Sequence, residues 1–289
     1  AASSRGVFTA TREERCEESA ASIGMSCNDT VQFVIATLLP TADTIEEPPT
    51  VGRFVPHEFL KMRKGLRAAE NMSAGFLAHN QRFLPSSRLT IFPATNGFNH
   101  TQVLDHLLQS GLAFHSLSKA GKKWGKIATF LTKYRALQRQ IALGIPYQLL
   151  FEDDVLLEPA RFWPHIAEMC AVLEAKPSID ILQLSGYSEA LLLSLAGARR
   201  VTEKIRQYGI MRNDDQQLLH GDIMKLVVEK RPKSHAWRLG RPTNAASGHI
   251  FKSRKITWAE VAMLRLISDP KARSLPSFGS DRVTDYMHD

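Results

Sequence analysis

An apolar segment of this chain runs directly into three consecutive carboxylates, within residues 147–155. Unpaired charges at the end of a buried strand are costly, about several kcal/mol each, so we expect a positive partner to meet them. Glu152 and Asp154 are two residues apart, and alternate side chains of an extended backbone lie on one side of it. Because hard oxygen ligands suit divalent cations, the pair is a candidate metal site. The alternative is a strand that ends in a solvated acidic turn.

Strand patterns and helix patterns alternate along much of the chain. Apolar, often β-branched runs predict strands at 31–38, 88–94, 147–152 and 179–184. Apolar residues at helical spacing predict helices at 59–69, 101–110 and 124–143, and a further amphipathic helix between the acidic triplet and residue 179. This alternation indicates an α/β protein whose sheet carries helices on both faces.

The two ends of the chain are less regular. Residues 1–30 are polar and weakly periodic, which is typical of an extension or stem, so the main domain is predicted over 31–289. Within that domain, residues 186–241 are interpreted as a divergent insertion with a strand at 223–228. A last strand and helix are predicted at 245–252 and 257–267.

Charge and cysteine content narrow the possible partners and compartments. The net charge is +8, but the basic residues are scattered and form no stripe with interleaved aromatic residues, so we expect no nucleic-acid partner. Of the three cysteines, Cys16 and Cys27 are close enough in sequence to close a short disulfide loop. Cys170 lies in a helical pattern and is expected to be a buried thiol. No cysteine spacing matches a zinc site.

The expected location is the lumen of the secretory pathway, either the Golgi or the endoplasmic reticulum. Three glycosylation sequons, at Asn28, Asn71 and Asn99, favour that compartment. The chain begins at Ala1 without a methionine, so we expect upstream sequence to have been removed. No apolar run approaches the roughly 20 residues that span a bilayer, so contact with a membrane is expected only through a missing amino-terminal anchor.

Two blocks, at 125–137 and 144–155, resemble the core of the family 25 glycosyltransferases, which include bacterial lipooligosaccharide and collagen galactosyltransferases. The turn at 92–97 is similar to the family's Ala-x-Asp-Gly turn, with Asn96 in place of the aspartate. The segment 245–255 resembles the family's late strand. Thr132 and Lys133 replace the family's Ser-His pair, and 186–241 has no evident counterpart, which leaves the donor sugar open. A bacterial member would be cytoplasmic.

The resemblance implies a GT-A fold, which is a Rossmann-like mixed sheet, and the transfer of a hexose from a nucleotide sugar such as a UDP-hexose. Glu152 and Asp154 would hold Mn²⁺ or Mg²⁺ in a DxD-like motif. The candidate cofactor-binding residues are Asn96, Gly97, Lys133 and Asp153. Alternatively, Asn96 and Gly97 form only a turn.

The implied reaction is an inverting transfer of galactose or glucose to a hydroxyl of a glycan or protein acceptor. A carboxylate would act as the general base. Asp281 is the first candidate for that base, with Asp285 and then Asp180 behind it.

Two other classes of protein stay open at this point. One is a non-catalytic binding or scaffold protein that keeps the GT-A fold. The other is a metal-dependent hydrolase or nuclease, which would need further ligands, and residues 213–215 form the only other acidic cluster that suits it.

Overall fold

The computed structural model describes residues 26–38, 77–97, 99–114, 124–153, 155–184, 188–211, 214–220, 223–230 and 237–239. The elements predicted at 59–69, 245–252 and 257–267 lie outside the described residues, as do Asp154, Asp281 and Asp285. Within the described part of the chain, no helix combines the length and the apolar character needed to cross a membrane.

Helices and strands alternate as the sequence predicts. Among the described residues, the α-helices include α1 (Cys27–Thr30), α2 (His100–Ser110), α3 (Trp124–Ala142), α4 (Pro159–Ala175), α5 (Leu195–Tyr208) and α6 (Asp214–Leu219). The strands are β1 (Gln32–Thr37), β2 (Leu89–Pro93), β3 (Tyr147–Glu152), β4 (Val155–Leu157), β5 (Ile181–Gln183), β6 (Ala190–Ser194), β7 (Val228–Lys230) and β8 (Trp237–Leu239). The predictions for β1, β2, β5, α2 and α3 are confirmed to within a residue or two at each end.

A mixed sheet of six strands forms the centre of the molecule, in the order β2-β1-β3-β6-β5-β7. β1 pairs in parallel with both β2 and β3, so that Val34 lies between Thr90 and Leu150. β6 runs antiparallel to β3 and β5, whereas β7 is parallel to β5. β4 and β8 form a separate antiparallel pair. The predicted α/β fold with a mixed, Rossmann-like sheet is therefore confirmed.

Each face of the sheet carries its own hydrophobic core. Leu191 and Leu193 of β6 pack with α3 and α5, where Tyr134 and Val201 are buried. The intervening Leu192 points to the opposite face, which α4 covers with residues such as Phe162. Side chains alternate across a strand, so a run that is apolar at every position can be buried on both sides. The predicted helices on both faces of the sheet are confirmed.

Residues 190–208 lie inside the stretch that the sequence pattern assigned to an insertion, yet they belong to the central layers. They supply β6, which lies between β3 and β5, and then α5. The Ser194 hydroxyl caps the amino end of α5 by accepting a hydrogen bond from the Gly197 N–H. The strand predicted at 223–228 is displaced, because residues 223–225 form a turn and β7 begins at Val228.

Cys27 forms a disulfide with Cys170, which joins α1 to α4 across a sequence separation of 143 residues. The predicted loop between Cys16 and Cys27 is therefore wrong, and so is the free thiol predicted at Cys170. Both bonded cysteines are buried. The Glu174 carboxylate also accepts a hydrogen bond from the Cys27 N–H at 2.6 Å. The last four residues of the predicted extension, α1, thus pack against the main domain.

Candidate functional site

The carboxyl ends of β1, β2 and β3 meet at one edge of the sheet, because the three strands are parallel. The amino end of β6 lies at the same edge, since β6 runs the opposite way. The residues that gather there, called the carboxyl edge below, are Thr37, Thr95, Asn96, Gly97, Glu152, Asp153, Ser188 and Glu189. Open α/β sheets bind ligands outside the carboxyl ends of their strands. The carboxyl edge is therefore the candidate site.

The side chain of Lys133 extends from α3 to the carboxyl edge and forms an ion pair with Glu152. Its Nζ lies 2.8 Å from Glu152 Oε1, and it also donates a hydrogen bond to the Ser188 hydroxyl. The Lys133 side chain is 3% exposed, whereas that of Glu152 is 30% exposed. The ammonium group is thus buried behind a carboxylate that still reaches solvent.

Asp153 is held by the strand next to it. The Thr37 hydroxyl, at the end of β1, donates a hydrogen bond of 2.6 Å to Asp153 Oδ2. The backbone is also tied, since the Glu152 N–H donates to the Glu189 carbonyl oxygen at 3.0 Å and the Ala94 N–H donates to that of Thr37 at 2.8 Å. β1, β2, β3 and β6 are therefore cross-linked where they present the acidic residues.

These contacts bear on the metal site that is predicted at Glu152 and Asp154. Within the described residues, no group of three or more His, Cys, Asp or Glu side chains is arranged to hold a metal ion. Glu152 already has an ammonium partner, which does not fit a cation held mainly by this carboxylate. Asp154 lies outside the described residues, so the metal site formed by the pair stays a prediction.

Asn96 and Gly97 form the buried turn that follows β2. The Asn96 N–H donates to Gln102 Oε1 of α2 at 2.7 Å, and the Asn96 residue is 3% exposed. A β-carbon added to Gly97 would lie 2.5 Å from the Cα atom of Gly125, so the turn packs directly on the first turn of α3. Both residues serve the packing of the edge, and their contact with a nucleotide stays a prediction.

A polar cluster next to this turn was not predicted from the sequence. His106 Nδ1 lies 2.9 Å from the Thr95 hydroxyl, and Arg135 donates to that hydroxyl at 3.3 Å. Burial lowers the pKa of His106, and the nearby Arg135 lowers it further, while Asp105 opposes them. Burial also lowers the pKa of Arg135. The cluster supports the end of β2, since Arg135 also donates a hydrogen bond to the Pro93 carbonyl oxygen.

Asp180, the third candidate for the base, lies at the opposite edge of the sheet, at the amino end of β5. It accepts hydrogen bonds from Arg200 Nε at 2.5 Å and from the Val227 N–H at 2.7 Å. This position removes Asp180 as a base for chemistry at the carboxyl edge. Asp281 and Asp285 lie outside the described residues, and their role stays a prediction.

Sequence reasoning missed Thr37 and Ser188, because a lone hydroxyl residue at a strand end carries no distinctive pattern. Lys133 had a usable signal. It lies three residues after Phe130 and four before Leu137, on the buried stripe of α3, and a lysine at such a position needs an acidic partner.

Comparison with known proteins finds no family model and no curated protein that matches this chain. The fold and the carboxyl edge define the class of protein that the structure shows, which is an α/β protein with a Rossmann-like mixed sheet and polar residues gathered at the carboxyl ends of its parallel strands.

Proposed function

We propose that the protein is a glycosyltransferase that takes a hexose from a nucleotide sugar, such as a UDP-hexose, and transfers it to a hydroxyl of a glycan or protein acceptor. One observation carries the proposal. Glu152, Asp153 and Thr37 meet at the carboxyl ends of parallel strands, which is the edge where α/β sheets bind nucleotides. The resemblance of residues 125–155 to family 25 glycosyltransferases supports the same function.

The chemistry of the edge suits a ligand with many hydroxyl groups. Carboxylates only accept hydrogen bonds, and the ribose and hexose of a nucleotide sugar offer several O–H donors. Thr37 orients Asp153 and Lys133 orients Glu152, so neither carboxylate has to be ordered when the ligand binds. Preorganised groups of this kind contribute more to affinity than mobile ones.

In the proposed reaction, the acceptor oxygen forms a bond to the anomeric carbon while the bond from that carbon to the diphosphate oxygen breaks. The nucleoside diphosphate leaves with the bonding electrons, and the acceptor proton passes to a carboxylate base. Asp281 is the proposed base, with Asp285 as the second choice. General base catalysis of this type contributes about 10²–10⁴-fold in rate.

A panel of nucleotide sugars tests the proposal, with release of the nucleoside diphosphate as the readout and Mn²⁺, Mg²⁺ or EDTA in parallel. We expect release from one donor, its loss in Asp154→Ala, and a weaker signal in Thr37→Val. Asp105→Ala, at an exposed position of α2, is the matched control and should behave like the parent protein.

Calorimetric titration with the same nucleotide sugars, together with the release panel, separates the proposal from its alternative. Saturable donor binding without any turnover, in folded protein, would indicate the non-catalytic binding or scaffold protein. The absence of both binding and turnover for every donor would overturn the proposed function.

We also propose that the protein resides in the secretory lumen. The disulfide between Cys27 and Cys170 supports this location, because such bonds persist in oxidising compartments and are rare in reducing ones. Trapping thiols with an alkylating agent in intact cells tests it. A single alkylated cysteine per chain is expected, whereas three alkylated cysteines would contradict a lumenal location.

A further inference from the structure

We infer that Lys133 is the built-in counter-cation of Glu152, so that Glu152 contacts the hexose of the donor and not a divalent metal ion. Contact between Glu152 and the hexose rests on the proposed function, whereas the exclusion of a metal ion rests on the geometry of Lys133.

The position of the ammonium group carries the inference. Lys133 Nζ lies 2.8 Å from Glu152 Oε1. Magnesium binds carboxylate oxygens at about 2.0–2.1 Å, so an ion on that oxygen would lie within about 5 Å of the ammonium group. A dication at such a distance from a buried positive charge is repelled, and the repulsion is weakly screened because the lysine is away from water.

Lys133 has little freedom to move away. It projects from the buried stripe of α3 and is 3% exposed, and the Ser188 hydroxyl accepts a second hydrogen bond from its ammonium group. Ser188 directly precedes Glu189, whose carbonyl oxygen accepts the Glu152 N–H at 3.0 Å. Ser188 and Glu189, the two residues before β6, therefore contact both members of the pair, and Lys133 acts as a positioning residue for the Glu152 carboxylate.

The pair presents an acceptor that carries no net charge. Glu152 is 30% exposed, so part of its carboxylate faces solvent at the carboxyl edge while Lys133 stays behind it. Such a group accepts hydrogen bonds from neutral hydroxyls and has lost most of its attraction for a cation. A sugar hydroxyl is the chemistry that it suits.

Titration with Mn²⁺ alone, followed by electron paramagnetic resonance, tests the metal part without any substrate. The readout is the effect of Glu152→Gln on Mn²⁺ affinity in two backgrounds. In the parent protein we expect less than a twofold effect. In Lys133→Met, where the carboxylate has lost its ammonium partner, we expect Mn²⁺ to bind at least tenfold more tightly and Glu152→Gln to remove that gain.

Two further variants keep this test decisive. Lys133→Arg preserves the positive charge and should keep the weak Mn²⁺ binding of the parent, which a loss of packing alone would not explain. Asp105→Ala, the control variant, should leave the Mn²⁺ affinity unchanged. If Glu152→Gln weakens Mn²⁺ binding tenfold or more in the parent protein, the inference is overturned.

Calorimetric binding of UDP and of the UDP-hexose identified by the donor panel tests the sugar part, with EDTA and with Mn²⁺. We expect the UDP-hexose to bind in EDTA, and Glu152→Gln to weaken it about tenfold while changing UDP binding less than twofold. Donor binding that requires Mn²⁺ and is lost in Glu152→Gln would overturn the inference and keep the proposed function. If no nucleotide binds under either condition, the proposed function fails, and the Mn²⁺ titration still decides the role of Lys133.

Discussion

Two ion pairs lie at opposite edges of the same sheet, and they are built in opposite ways. At the carboxyl edge, Lys133 is the buried member at 3% exposure and Glu152 is 30% exposed. At the amino end of β5, Asp180 is the buried member at 6% side-chain exposure and Arg200 is 42% exposed.

Their other contacts differ as well. Arg200 also donates to the carbonyl oxygens of Pro177 and Ile179, and Asp180 accepts the Val227 N–H, so this pair ties backbone segments together. Lys133 instead contacts the side chains of Glu152 and Ser188. A pair that binds backbone groups on several segments serves the fold. A pair that leaves its carboxylate partly in solvent, at the ends of strands where open α/β sheets bind ligands, suits the proposed function.

Removing the disulfide is expected to have the largest effect on the free energy of unfolding. The effects of breaking the two ion pairs can be compared with it. Replacing Cys27 and Cys170 by alanine should lower the free energy of unfolding by about 4–5 kcal/mol, because the bond closes a loop of more than 100 residues in the unfolded chain. Urea unfolding, with and without a reductant, measures this loss. Cys16→Ser is the matched control, and an equal loss in that variant would contradict the pairing.

Breaking the pair at the amino end of β5 is expected to have the next largest effect. Arg200→Met leaves the Asp180 carboxylate buried without its cation, which should cost about 2–4 kcal/mol after allowance for the partial exposure of Arg200. Donor binding at the other edge should not change. Urea unfolding and donor binding are the measurements, with the exposed Glu203→Gln of α5 as the control. A loss of binding without a loss of stability would reverse the assignment of the two pairs.

The pair at the carboxyl edge should respond asymmetrically to substitution. Glu152→Gln leaves an ammonium group buried without its partner, so we expect a loss of about 2 kcal/mol in the free energy of unfolding. Lys133→Met leaves only a carboxylate that reaches solvent, so we expect a loss of about 1 kcal/mol or less. Urea unfolding of both variants at neutral pH compares them. Equal losses would mean that the burial of Lys133 does not determine the energetics of the pair.

The smallest effect concerns pH and the support of β2. Burial lowers the pKa of His106 below its ordinary value of 6.5, so below that pH the unfolded chain binds a proton that the folded protein resists. Stability from this group is therefore full above pH 6.5 and is lost as the pH falls. His106→Gln should reduce the decline between neutral and mildly acidic pH in urea unfolding. Gln109→Ala, at an exposed position of the same helix, should leave that decline unchanged.

Much of the fold could be predicted from local patterns. The ends of β1, β2, α2 and α3 follow from apolar periodicity and from stop signals such as Gly111, which adopts the left-handed conformation after α2 with φ of 68°. β6 was missed because an apolar run of this length is compatible with a strand or a helix, and its antiparallel pairing with β3 depends on contacts far away in sequence.

The candidate site, like the fold, could be predicted only in part from the sequence. The acidic residues at the end of β3 and the expectation of a positive partner came from the cost of burying charge. The identity of that partner did not, since an ammonium group 19 residues upstream and a metal ion satisfy the same electrostatic requirement. Likewise, the pairing of Cys27 could not be chosen from three cysteines by spacing alone.

The amino-acid sequence by itself determined the alternation of strands and helices, the burial of both faces of the sheet, and the position of the acidic residues at a strand end. These features depend on residue types at short spacing, where local sterics and the removal of apolar surface from water act directly. Only the tertiary structure decided that Lys133 meets Glu152, that Thr37 holds Asp153, and that Asp180 lies at the far edge. Those contacts join segments distant in sequence, and their formation depends on the direction and order in which the strands pair.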